Sequence, residues 1–305
     1  MLPTRGLASI LIAYTSWGLL PVYWKLLGRV SSLEILGHRI LWSFVLALVI
    51  YSCTKNHQYP LRLLFKRKPL LSLIGTSCLL ACNWLLYVWS VNNGHVIDSS
   101  LGYFINPLLA VLLGVVVLKE KMHPLQWLSV AVAAIGVLYM TLALRQFPWI
   151  ALGLAVSFGI YTLLRKISQA PALEALTMEM GILALPSLGL ILFLQAQGET
   201  AFFFSQPATL LLIGSGLVTL APLLLFISGA RQINLTTAGL LQYLSPTLNF
   251  LLGVFVYRED FPVAQQRGFL FIWLALLIFS ADQVRRSLRH KKQPLHTAQE
   301  KQRLL

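Results

Sequence analysis

The sequence predicts an all-α polytopic membrane protein with ten transmembrane helices, arranged as two inverted five-helix repeats. Three observations predict it. Of 305 residues, 57% are hydrophobic and 11% charged. Soluble domains run near a quarter charged, so a water-soluble fold of this composition would have little surface left to wet. Apolar stretches of about 20 residues, the length that crosses a bilayer, recur ten times along the chain. Finally, two stretches of the first half return in the second at nearly one offset. PLLAVLLGVVVLKE (107–120) is answered 139 residues on by PTLNFLLGVFVYRE (246–259), and TSWGLLPVYWK (15–25) 141 residues on by VSFGIYTLLRK (156–166).

The first span, 6–27, lacks the small-x-small cleavage site of a signal peptide and reads as a membrane helix. The second, 33–51, follows Ser31, whose hydroxyl and Glu34 form a capping-box pattern. This span carries three ionisable residues, Glu34, His38 and Arg39, within six positions. The longest connection, 52–68, leads to the third span, 70–91. Cys78 and Cys82 lie one turn apart there and read as small packing residues, because the chain's three cysteines make no disulfide framework. The fourth span, 97–118, repeats Asp98, Gly102 and Asn106 every four residues and then meets Pro107. The fifth is 124–144 and the short sixth 148–164. The seventh, 172–194, holds Glu179 and Pro186, and the eighth is 207–229. The ninth, 236–257, lines up Ala238, Gln242, Ser245 and Asn249 on one helical stripe and places Pro246 where the fourth has Pro107. After the tenth, 262–284, comes a basic tail whose composition predicts disorder. The domain plan is a repeat over 1–145, a repeat over 146–285 and the tail 286–305.

Ten spans put both termini on one side. Of the 24 Lys and Arg, four (Lys25, Arg29, Arg145 and Arg258) fall on the opposite side, and Arg39 and Arg267 lie within spans. The rest lie on the side of the termini, so the positive-inside rule predicts cytoplasmic N- and C-termini in a cell inner membrane. The net charge of +14 is then topological anchoring and contact with anionic lipid. A nucleic-acid partner would need a basic face on a soluble module, and none is present. No metal, nucleotide or other cofactor motif appears.

Five is odd, so the second half must enter the membrane upside down. Inverted repeats recur among secondary transporters, where similar motions expose a central path to either side. Pro107 and Pro246, each deep in its span, remove a backbone hydrogen bond and are candidate hinges. Asn106 and Gln242 face either neighbouring helices or a wet cavity, because unpaired amides are costly in hydrocarbon.

WGLLPVYWK (17–25), EILGHRILWS (34–43), NWLLYVWSVNN (83–93), SLGYFINPL (100–108) and QYLSPT (242–247), in this order, resemble the RarD group of EamA-like permeases in the drug/metabolite transporter superfamily. The resemblance covers nearly all of 6–285. It implies ten helices in two inverted repeats, an inner-membrane location, and export of a small-molecule substrate of the kind labelled chloramphenicol. The family pattern has an acidic residue six positions before a proline, whereas Glu179 precedes Pro186 by seven, so no role passes to Glu179.

The candidate substrate-binding residues are Arg39, Asn83, Trp84, Tyr87, Tyr103, Asn106, Gln242, Tyr243 and Trp17, most of them in those motifs. Arg39 lies roughly 9 Å into its span by helix rise, too deep for a charge that faces lipid. It either pairs with an acid on another helix or meets a substrate's negative group, with Trp42 at i+3 placed to stack on it. Glu34, His38 and Asp98 are the candidates for proton coupling. His38, at i+4 from Glu34, is placed to share its proton, and Asp98 to accept one at a first turn. Each has a structural alternative: a cap for Glu34, an interhelical hydrogen bond for His38, a helix-dipole partner for Asp98. Lys25 and Lys166 end their helices as interface anchors, and Glu120 and Glu259 read as interface residues. The reading is a secondary transporter of small organic solutes working by alternating access. The alternatives are an amino-acid or related metabolite exporter and a membrane-embedded enzyme. The six histidines are scattered and show no catalytic arrangement.

Overall fold

The computed structural model describes residues 4–53, 67–119, 123–168, 172–202, 206–230, 232 and 241–303. Glu120 and Ala238 lie outside the described residues, as does the Lys166 side chain. The described residues form ten helices: α1 (Thr4–Leu26), α2 (Ser32–Cys53), α3 (Arg67–Asn92), α4 (Val96–Leu118), α5 (Pro124–Leu144), α6 (Trp149–Ser168), α7 (Ala172–Ala196), α8 (Gln206–Ala230), α9 (Leu244–Leu251) and α10 (Val263–Arg303). Eight are long and apolar enough to cross a bilayer, and α6 and the α9 region are shorter apolar helices. The fold is an all-helical bundle whose outer face is apolar: Leu185, Leu210 and Phe255 are 78%, 71% and 71% exposed. A membrane is the solvent that such a surface requires.

The principal helix packings repeat under exchange of α1–α5 with α6–α10. Helix α1 packs on α8 as α6 packs on α3, and α2 packs on α8 as α7 packs on α3. Helix α1 meets α9 as α6 meets α4, while α2–α7, α4–α9 and α5–α10 join counterparts. The symmetry reaches single residues. A Cβ on Gly18 would lie 2.7 Å from Leu248 Cβ, and one on Gly159 would lie 3.2 Å from Leu109 Cδ2. These four are two pairs of repeat counterparts, so the same glycine-on-leucine approach brings α1 to α9 and α6 to α4. The fourth helix of each half also ends alike, on a basic residue with left-handed backbone: Lys119 at φ 55° and Arg258 at φ 50°. This arrangement is consistent with two halves related by a pseudo-two-fold.

The helix backbone of α10 continues to Arg303, past the expected end of the tenth span at 284. The tail's Gln, Lys, Arg, Ala and Leu are good helix formers, and the span supplies a ready nucleus for them. Pro246 does not kink a helix interior. A turn at Gln242–Tyr243 breaks the ninth element, and Pro246 falls in the first turn of α9, where a missing N–H costs little. Pro107 does lie inside α4. Past Leu251 the ninth element widens into a π-helical turn, Leu252–Val256, closed by the Tyr257 N–H on the Leu252 carbonyl at 2.8 Å. Such turns are rare and frequently sit near functional sites.

Candidate functional site

Arg39 stands at the centre of contacts from both halves. It is 4% exposed. Its guanidinium carbon lies 4.0 Å from the Trp84 ring centroid on α3 and 5.0 Å from that of Trp24 on α1. Its Nε donates to Thr219 Oγ1 on α8 at 2.9 Å. Tyr87 and Tyr103 lie within electrostatic range of it. Their rings meet edge to face at 5.5 Å, and the Asn249 amide of α9 donates to the Tyr87 hydroxyl at 3.4 Å. Five residues on α1–α4 and two on α8 and α9 thus form one aromatic, cation-bearing cluster.

The cluster is polar without being satisfied. Trp24 Nε1, His38 Nε2, Arg39 Nη1, Ser43 Oγ, Asn106 Oδ1 and Asn249 Oδ1 are buried with no hydrogen-bond partner. Interiors rarely leave such groups unpaired, and in hydrocarbon each is costly. Others lie outside the cluster, at Asn92, Glu179 and Tyr243, but Arg39 Nη1, Trp24 Nε1 and Asn249 Oδ1 belong to its residues, which suits an interior that meets water or ligand. Two cavities flank the α1–α2 connection. The larger, about 810 Å³, is lined by residues including Arg29, Cys82, Trp89, Asn92 and Trp149. The smaller, about 430 Å³, is lined by residues including Lys25, Ala208 and Leu211. Neither has Arg39 in its wall.

Other candidates go elsewhere. Trp42 does not stack on Arg39: its Nε1–H donates to His38 Nδ1 at 3.3 Å, because i+4 on α2 brings those two rings together. Nor do Glu34 and His38 form a hydrogen-bonded pair. Glu34 Oε1 accepts from the Thr200 hydroxyl at 2.6 Å and from the Ala201 and Phe202 N–H groups at 2.8 and 3.2 Å, while the His38 ring stacks on Phe202 at 4.5 Å. The Ser31 hydroxyl caps the Glu34 N–H at 3.1 Å, but the carboxylate reaches across to the other half instead of back. Asn83 donates to the Leu154 carbonyl at 3.0 Å and to Ser157 Oγ at 2.9 Å, joining α3 to α6. Trp17 packs with Tyr14 and Phe226, each at 5.6 Å. Tyr243 packs against the core shared by α4, α5 and α10, with half-buried Gln242 beside it. Asp98 Oδ1 accepts from Gln265 at 2.9 Å, and its Oδ2 lies 3.0 Å from His95 Nδ1.

Several of these contacts close the end of the bundle opposite the N-terminus. Glu34 holds the α7–α8 connection. Glu259, expected only at an interface, accepts from the Val96 and Ile97 N–H groups at 2.8 Å each, capping α4 from the other half. Asp98–Gln265 adds a further bond between halves at this end, and Lys25 Nζ lies 5.2 Å from the Tyr257 ring centroid. Near the other end, buried Glu179 accepts from the Tyr161 hydroxyl at 3.1 Å, with Arg165 Nε 3.9 Å away. Sequence reasoning missed Thr219, and it named Glu179 without giving it a role. Trp24 lay within a quoted motif, but nothing singled out Thr219 in its apolar helix.

The sequence model of the EamA-like transporter family matches residues 4–142 and again 148–281. The chain belongs to the EamA-like transporter family. Among EamA-like relatives, an uncharacterized transporter of Pseudomonas aeruginosa is 41% identical over 95% of this chain and 97% of its own length. Protein RarD of Escherichia coli strain K12 is 40% identical over 94% of this chain and 98% of its own. A solved crystal structure, 17% identical, shares the fold at a TM-score of 0.57 over 90% of this chain and 96% of that one. The protein is therefore a multi-pass membrane protein of a transporter family.

Proposed function

We propose that the protein is a secondary-active transporter that exports small organic solutes across the cell inner membrane by alternating access between two inverted halves. Both termini face the cytoplasm. The observation that carries this reading is the Arg39 cluster: a buried, incompletely satisfied polar centre built by helices of both halves. In this reading the contacts of Glu34, Glu259 and Asp98 shut the periplasmic end, so the loading state opens toward the cytoplasm. Glu34 and Asp98 hold that end as hydrogen-bond acceptors, and with His38 they are the candidates for proton coupling. The halves, 1–145 and 146–285, act as the two rocking units, with the break before α9 and Pro107 in α4 as hinges.

The test is solute flux into liposomes holding the purified protein, with chloramphenicol, aromatic amino acids and a panel of small metabolites. Saturable movement of at least one compound above protein-free liposomes is expected, with an internal pH dye reporting any proton moved alongside. Folded protein that moves none of them would refute the transport reading.

A further inference from the structure

We propose that Arg39 is an anion-receiving group and that the solute is an organic anion, a carboxylate on a flat apolar body. This deepens the transport reading and rests on it. The guanidinium carbon lies over two rings, Trp84 at 4.0 Å and Trp24 at 5.0 Å, and Nε is spent on Thr219. Ring faces attract the positive charge but accept no in-plane N–H. What remains is Nη1, buried and unpartnered. Its N–H groups are charge-assisted donors to which a carboxylate oxygen is the strong acceptor.

Two of the other orphans can donate, whereas Asn106 Oδ1 and Asn249 Oδ1 are acceptors for the remainder of the solute. Trp24 Nε1 can only donate, and it too is buried without a partner, as is the hydroxyl of Ser43 one turn along α2. A neutral carbonyl accepts two hydrogen bonds and leaves the charge in place, whereas a carboxylate offers about four acceptor sites and neutralises it. No protein acid does so. Among the described residues Arg39 forms no ion pair. Glu34 is committed to the α7–α8 connection, Asp98 to Gln265 and His95, and Glu179 to Tyr161. The cluster is rich in flat rings: Trp84 against the guanidinium, and the Tyr87–Tyr103 pair on α3 and α4. They suit a planar apolar body.

The experiment uses full-length protein in nanodiscs and follows quenching of tryptophan fluorescence, because Trp24 and Trp84 border the site. The probes are matched pairs: benzoate, 3-phenylpropionate and indole-3-acetate against their primary amides. For at least one pair the wild type is expected to bind the carboxylate about tenfold or more tighter, the scale of a charge-assisted contact. Arg39→Gln should abolish that preference, and Arg39→Lys should keep it at lower affinity, the point charge without the fork. Amides bound as tightly as acids, no binding of any acid, or a preference that survives Arg39→Gln would overturn the inference. If Arg39→Gln does not fold, the wild-type ratio and Arg39→Lys decide. The same pairs are then run as fluxes. An acid that binds but never crosses would refute transport and leave the anion site standing.

Discussion

Arg39 and Asn83 are both buried polar side chains of membrane helices, yet they differ in what they leave open. Asn83 donates to two acceptors on α6, so it acts as interhelical glue. Asn83→Leu should lower stability by about 0.6–1.7 kcal/mol, the range for polar contacts between membrane helices. A thermal unfolding midpoint in detergent reads this, and the KM of any carried solute should stay unchanged. A raised KM with an unchanged midpoint would instead put Asn83 on the path. Arg39 was legible in the sequence because a charge inside a span has to be accounted for. Its partners were not: Thr219 lies 180 residues away, and a lone Thr in an apolar helix carries no signal. Glu34 and His38 looked like a pair by spacing along one helix, but a loop of the other half offered Glu34 better donors. Spacing cannot report such a competitor.

At the scale of helices, glycines set how closely α2 and α8 approach. A Cβ on Gly216 would lie 2.5 Å from the Trp42 carbonyl carbon and 2.8 Å from the Ser43 N. These are backbone atoms that cannot step aside, so Gly216→Ala should cost about 1–3 kcal/mol. It should also disturb solute binding, because the same crossing presents Thr219 to Arg39. Gly75→Ala is the control. A Cβ there meets nothing within 4 Å, and alanine should hold or raise the midpoint, by up to about 1 kcal/mol. Thermal stability of the two variants side by side checks both. Element positions were largely legible, because in a bilayer length and apolarity nearly define a helix. The break before α9 was not, since a proline in a span reads as a kink whether it bends a helix or starts one.

For the whole molecule, the repeat was visible because its halves keep the same residues where helices touch, Gly18 and Gly159 against Leu248 and Leu109. The bonds across the end opposite the N-terminus were invisible, because they join acids to backbone. If they hold that end shut, the double variant Glu34→Ala, Glu259→Ala should open it. Spin labels at 93 and 199, on a background with the three cysteines replaced by serine, would show a longer and broader distance distribution than the parent. An unchanged distribution would reject the latch. The grip itself has a consequence for sequence drift. Glu259 holds only peptide N–H groups, those of Val96 and Ile97, and Glu34 holds those of Ala201 and Phe202 alongside the Thr200 hydroxyl. A peptide N–H is the same whatever side chain stands beside it. The grip therefore asks nothing of the side chains at positions 96, 97, 201 and 202, whose identities answer to packing alone, and it bars one residue there: proline, which has no N–H to give.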